Sequence, residues 1–283
     1  MTTTIAVAGK GGTGKTTIAG LLVRRLADRQ AGPVLAIDAD PASNLNDVLG
    51  LPLERTVGDI REDTSEKARA NKLDPGIAKA DLLDYEINAS VVEGTGLDLL
   101  AMGRPEGPGC YCAANTMLRT IVDRIANAYD WVVIDNEAGL EHLSRRTTRD
   151  VDVLLIVSDP TVRGLTTAGR IVDLVDELKT QVGRHYLIVN RAPDGLGPEL
   201  QAVIAERGLN LLAVLPEDPQ VAAYDAAGRA LVDLPADDAV ALALDGILDA
   251  VTADETLAAA RAGAAAAAPA AAAAATGLEA RPC

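Results

Sequence analysis

Short apolar runs alternate along the chain with longer stretches in which apolar residues recur every three or four positions. The runs Thr4–Ala8, Pro33–Asp38, Leu97–Met102, Trp131–Asp135, Val153–Ser158, Tyr186–Asn190 and Leu211–Pro216 carry few polar interruptions. A strand wet on one face alternates apolar with polar, whereas a strand covered on both faces does not need to. These seven are therefore read as buried strands. Between them, Ile18, Leu22 and Leu26 share one helical face. So do Leu118, Ile121, Val122 and Ile125, and later Val240, Leu244, Ile247 and Val251. Repetition of strand, helix and strand predicts an α/β fold, a single domain with a mostly parallel twisted sheet and helices on both faces.

Two stretches break the rhythm. From about 51 to 93 the chain is charged and helix-prone ("VGDIREDTSEKARANKL", then "AKADLLDYEI"), which predicts a helical insertion on the same domain, with most of its charges solvated. After about Leu257 the chain becomes nearly all alanine, interrupted by Pro269. Alanine favours helix but buries little surface, and proline breaks the run. The expected organisation is one domain over residues 1–252 and a flexible Ala-rich tail over 253–283.

Composition narrows the class. Aromatic residues are 2% of the chain and Phe is absent, so the core is expected to consist of Leu, Val, Ile and Ala. The net charge of −15 disfavours binding to nucleic acid, whose phosphates call for a basic surface. Outside the alanine tail no apolar run is long enough to span a bilayer, so no membrane partner is expected. "MTTTIAVAGKGG" has neither the basic region nor the apolar stretch of a signal peptide. The expected setting is the cytoplasm, where thiols stay reduced.

The chemistry begins after the first strand. "GKGGTGKT" (Gly9–Thr16) fits G-x-x-x-x-G-K-[ST], set between a predicted strand and a predicted helix. Gly11, Gly12, Thr13 and Gly14 let the backbone wrap around phosphates, and the helix N-terminus adds oriented N–H groups. Lys15 is expected to reach the terminal phosphates, Thr16 to ligate Mg2+ and Thr17 to bond the α-phosphate. Asp38 and Asp40 in "IDADP" stand at the end of the second predicted strand, where an open α/β sheet binds its ligands.

Lys10 is a second lysine inside the loop, and one chain does not need it to hold phosphate. The pattern resembles the deviant Walker A motif of the MinD, ParA and nitrogenase Fe-protein group of ATPases. That resemblance implies a homodimer in which Lys10 reaches the partner's nucleotide. It makes Asp40 the switch residue that orients the attacking water and places Asp38 near Mg2+. "WVVIDNEAGLEHL" resembles the Walker B strand and second switch, with Asp135 a Mg2+ partner and Gly139 responding to the γ-phosphate. Asn190 resembles the group's adenine-reading residue. Pro216, in "LPEDP", occupies the place of its second adenine-contacting loop. No guanine-selecting motif is evident, so the nucleotide is expected to be ATP. Lys10, Lys15 and Asp40 are thus the candidate catalytic residues.

"EGPGCYCAANTMLR" (Glu106–Arg119) contains two of the three cysteines. A Cys110–Cys112 disulfide would close a small strained ring in a reducing compartment. Core filling is the ordinary fate of a free cysteine, but the flanking glycines and proline describe an exposed turn. A following helix N-terminus would favour the thiolate, the metal-binding form. One chain offers two sulfurs and a structural Zn2+ takes four ligands. A two-fold dimer would supply four.

"MGRPEGPGCYCAANTMLR" and "IDNEAGLEHLSR" resemble the CooC-type nickel-insertion ATPases, which mature carbon monoxide dehydrogenase, and the related factor for acetyl-CoA synthase. The likeness runs from about Thr4 to Leu234. It implies a MgATP-driven dimer that binds Ni2+ (or Zn2+) through Cys110 and Cys112 and delivers nickel to apo carbon monoxide dehydrogenase or acetyl-CoA synthase. Glu141 and His142 stand beside the second switch. They either couple nucleotide state to the metal loop or lie on a helix surface. His185 reads as structural and Cys283 as a free thiol on the tail. Two other readings stand beside this one. An Fe-protein-like electron carrier would need a cysteine near the second switch, and "DNEAG" offers none. A MinD- or ParA-like positioning ATPase would need a basic amphipathic tail or a basic face.

Overall fold

A computed structural model describes residues 2–74, 76–104, 120–137, 151–178 and 182–253. Cys110, Cys112, Leu118, Gly139, Glu141, His142 and the tail from residue 254, including Cys283, lie outside the described residues.

The strands are β1 (Thr3–Gly9), β2 (Val34–Asp38), β3 (Val92–Glu93), β4 (Asp98–Ala101), β5 (Trp131–Asp135), β6 (Val151–Ser158), β7 (Val182–Val189) and β8 (Leu211–Val214). They form one sheet in the order β3-β4-β2-β5-β1-β6-β7-β8. Neighbours run parallel except the short edge pair β3 and β4. The fold class is the one the pattern predicts. β1 shows why its sequence is unbroken in apolar residues: Ile5 and Val7 pack on one face of the sheet, Ala6 and Ala8 on the other, all fully buried.

Helices cover both faces. One face carries α1 (Lys15–Asp28), α2 (Leu45–Leu49) and, near the end of the described chain, α9 (Ala239–Thr252). Ile18, Leu22 and Leu26 of α1 meet Val240, Leu244, Ile247 and Val251 of α9 in a single core. The opposite face carries α3 (Val57–Arg69), α4 (Lys79–Ala89), α5 (helical over 120–126), α6 (Val162–Leu178) and α7 (Pro198–Glu206). α8 (Pro219–Ala226) follows β8 in the chain, and its Val221 and Tyr224 pack against the α1/α9 core.

Caps explain where several helices begin. Thr56 and Asp59 form a capping box at α3, Thr56 accepting the Asp59 N–H at 3.2 Å and Asp59 accepting the Thr56 N–H at 2.8 Å. Asp238 accepts the Val240 and Ala241 N–H groups at the start of α9. The stretch from 51 to 93 contains the two helices α3 and α4. It closes, however, on the antiparallel edge strand β3, which two residues are too few to announce. Val57, Ile60, Leu83 and Ile87 join the main core, so this stretch is packed against the sheet and its charges point outward. Strand ends move by up to four residues relative to expectation. β7 extends back to Val182, where Gly183, Arg184 and His185 hide its first half, paired with β6 alone, from a hydrophobicity reading. Among the described residues no helix is long and apolar enough to cross a membrane.

Candidate functional site

β1 ends at the centre of the sheet, flanked by β5 and β6, and the phosphate loop leaves from there into α1. The loop is held by short contacts. A side chain at Gly9 (φ +152°) would run into the Val157 carbonyl oxygen of β6. At Gly14 (φ +90°) a Cβ would stand 2.5 Å from the Asn190 amide nitrogen. Both positions demand glycine on conformation and on space. Thr13 Oγ1 donates to the Lys10 carbonyl at 2.9 Å, and Lys15 Nζ donates to the same carbonyl at 3.3 Å. Lys15 is 8% exposed, an ammonium drawn into the loop.

Three carboxylates converge on this end of the sheet. Asp38 is fully buried, and its two oxygens accept the Asp40 N–H at 3.0 Å and the Leu45 N–H at 2.9 Å. Burial pushes its carboxyl up to about 6, with the backbone donors pulling the other way. Its geometry is that of a turn organiser for residues 39–45, with both oxygens engaged by backbone. Asp40 is half-buried and accepts the Ala42 N–H at 2.8 Å. Asp135, 1% exposed, ends β5, and burial pushes it up to about 7. A hydrogen bond from Thr16 and the charge of Lys15 oppose that rise, and Asp38 and Asp40 add to it. Asp135 Oδ1 has no hydrogen-bond partner. A buried acceptor left open beside a threonine hydroxyl offers oxygen donors of the kind a hard divalent cation such as Mg2+ takes. Asp135 and Thr16 are the residues that would hold it.

A further pocket beside the loop lies between β7 and α8. Asn190 follows β7, is 7% exposed, and donates through Nδ2 to the Thr13 carbonyl at 2.9 Å. Asn190, Pro216 and Thr17 line one cavity of about 260 Å3. The structure thus brings the loop residues, Asp38, Asp40, Asp135, Asn190 and Pro216 to one edge of the sheet. Lys10 stands at the solvent side, its Nζ 3.9 Å from Asp159 Oδ2. Among the described residues no three His, Cys, Asp or Glu side chains form a metal-holding group.

Three neighbours escaped the sequence reading. Asp159, just past β6, faces Lys10 and accepts from the Thr161 hydroxyl at 2.5 Å. Asn136 is 1% exposed and donates to the Val7 carbonyl at 3.0 Å, tying β5 to β1. Arg191 Nη1 donates to the Gly12 carbonyl at 3.3 Å. No spacing rule marks any of them. Only Arg191, a cation directly after the expected adenine reader, offered a signal.

Comparison with known proteins agrees with this geometry. The profile of the CobQ/CobB/MinD/ParA nucleotide binding domain matches residues 4–232. An uncharacterized ATP-binding protein of Methanocaldococcus jannaschii is 45% identical over 231 residues, covering 82% of this chain and 91% of the relative. The carbon monoxide dehydrogenase accessory protein CooC of Rhodospirillum rubrum is 35% identical over 243 residues, covering 81% of this chain and 89% of CooC. The MinD cell division protein of Aquifex aeolicus shares the fold at a TM-score of 0.63 and 21% identity, covering 89% of this chain and 97% of that one. MinD of Pyrococcus horikoshii, solved with Mg-ADP, does so with the same TM-score and identity, covering 89% and 96%. The chain belongs to the CobQ/CobB/MinD/ParA family of nucleotide-binding domains and is an ATPase of that family.

Proposed function

We propose that this ATPase is a nickel metallochaperone working as a homodimer in the cytoplasm. Each copy contributes Cys110 and Cys112 to a Ni2+ (or Zn2+) site between subunits, and the cargo passes to apo carbon monoxide dehydrogenase or acetyl-CoA synthase. The observation that carries the reading is the 35% identity with CooC across most of both chains. The C-x-C pair in a chain with only three cysteines supports it.

The ATPase chemistry falls to the residues at the sheet edge. The loop amides and Lys15 bind the phosphates, and bound Mg2+ would neutralise charge developing between them. Asp40 orients the attacking water. Lys10 exchanges its contact with Asp159 for the partner's phosphates, so closure requires nucleotide. The Asp38 turn, which fixes residues 39–45, relaxes after hydrolysis and changes how the two thiolate pairs meet.

Ni2+ titration of the full chain, with and without MgATP, tests this against a Cys110→Ser/Cys112→Ser double variant. The expected result is one Ni2+ per wild-type dimer and none in the variant. Equal stoichiometry in both sinks the metal site while leaving the ATPase assignment intact. A second reading, a positioning ATPase, draws on 29% identity to the septum site-determining protein MinD of Synechocystis. ATP-dependent co-sedimentation with anionic liposomes would favour it over metal delivery.

A further inference from the structure

We infer that the N-terminus of α3 is a brace that positions the turn carrying Asp40, with Gly58 and Gly103 as its positioning residues. The inference rests on the reading of Asp40 as the residue that orients the attacking water.

The Asp40 turn hangs on Asp38. The Asp38 carboxylate accepts the Asp40 and Leu45 N–H groups, and between them the backbone passes through Ser43 at φ +49°. A side chain in that left-handed region persists only where its surroundings hold it. Asp38 is held on both sides. Toward β5, the next residue, Ala39, donates to the Asp135 carbonyl at 2.9 Å. Toward β4, the Met102 N–H donates to the Asp38 carbonyl at 2.8 Å. Met102 directly follows β4 and so prolongs its pairing with β2 as far as the turn.

Met102 is held in turn by α3. The first N–H groups of a helix have no partner within it. Gly58 stands in the first turn of α3 and donates its N–H to the Met102 carbonyl at 2.9 Å. The two segments meet without room for side chains. A Cβ at Gly58 would run into the Arg104 carbonyl oxygen, and one at Gly103 into the Thr56 side chain. Gly103 also has φ +63°, which favours glycine by itself. Gly58 does not have a positive φ, and alanine is the better helix former. The close approach of residues 102–104 is what excludes a side chain there. The stretch from 51 to 93, a cover for the sheet elsewhere, is fastened at this point to the end of β2 that leads into the Asp40 turn.

The test is steady-state ATP hydrolysis by the full chain with Mg2+, with calorimetric ADP affinity and a thermal midpoint for each variant. Gly58→Ala drives a methyl group against backbone, and misplacing a catalytic group by about 1 Å costs up to about a hundred-fold. Its kcat is expected to fall about ten-fold, with KM for ATP and ADP affinity within about two-fold of wild type. Gly103→Ala reaches the same contact from the opposite side and is expected to behave alike, so either variant, if folded, decides the matter. Leu83→Ala loosens the same helical stretch while leaving both glycines in place, and its kcat below the melting range is expected to stay within about two-fold of wild type. Full kcat in a folded glycine variant overturns the inference. So does an equal fall of kcat in Leu83→Ala, which would make α3 a part of the fold and not a brace for the turn. Asp40→Ala tests the underlying reading: undiminished turnover there refutes the role given to Asp40, and this inference with it.

Discussion

At Gly14 two demands coincide, a left-handed backbone and the space filled by the Asn190 amide nitrogen. Gly14→Ala would drive that amide off the Thr13 carbonyl. We expect a loss of about 1–3 kcal/mol in urea denaturation and of ATP turnover together. Asp38 makes a different prediction. Its two oxygens each accept a backbone N–H, and Asp38→Asn would turn one of those acceptors into a donor aimed at another donor. The expected cost is again about 1–3 kcal/mol, from a buried N–H left unsatisfied. A variant as stable as wild type would show that the turn over residues 39–45 does not depend on this carboxylate.

Helices α1 and α9 are joined by a charged clasp as well as by their shared core. Arg25 and Arg29 both pair with Asp245, and Arg29 also reaches Asp249 at 2.7 Å. The hydrogen bond from Arg25 holds the Asp245 carboxyl below its usual range, with the Arg25 and Arg29 charges acting the same way and burial opposing them. A depressed folded value means that the unfolded chain binds the proton more readily. The stabilisation is therefore present at neutral pH and is lost as pH falls through the ordinary carboxylate value of 3.8 toward the lower folded one. Asp245→Asn is expected to cost about 1 kcal/mol at pH 7 and progressively less in acid, read from denaturation midpoints across pH. On the other face, Leu83 anchors α4 and is 2% exposed. Leu83→Ala is expected to cost about 2–5 kcal/mol by opening a cavity. A loss below about half a kcal/mol would mean that α4 lies on the surface and not in the core.

For the whole molecule the decisive question is association. Lys10 is half-exposed and paired at 3.9 Å with Asp159, a contact weak enough to exchange. If two copies pair over nucleotide as proposed, Lys10→Ala is expected to abolish ATP-dependent dimerisation in sedimentation velocity and to lower turnover at saturating ATP, while leaving the unliganded protein as stable as wild type. Unchanged turnover would remove the lysine from the reaction. Each chain carries a net charge of −15, so two copies repel over the screening length. Higher ionic strength should therefore strengthen the proposed dimer.

Much of this was legible in the linear chain, and the reasons are local. Unbroken apolar runs and period-3.6 apolar patterns report burial directly, which is why β1, β5 and the faces of α1 and α9 were readable. The phosphate loop was readable because its chemistry demands glycine, lysine and threonine at fixed spacing. Strand order was not, since apolar runs do not name their neighbours, and it is the order β5-β1-β6 that opens the crevice where Asp135 and the loop meet. Only the fold could show that Asp38 spends both oxygens on backbone, that Asn190 fastens the loop through Thr13, and that Asp159 faces Lys10. Those contacts join residues up to 177 positions apart, and their partners are mostly backbone groups that every sequence contains. Sequence thus determined which residues are the candidates for the chemistry. Tertiary structure decided which of their atoms are already engaged, because hydrogen bonding depends on distance in space and not on separation along the chain.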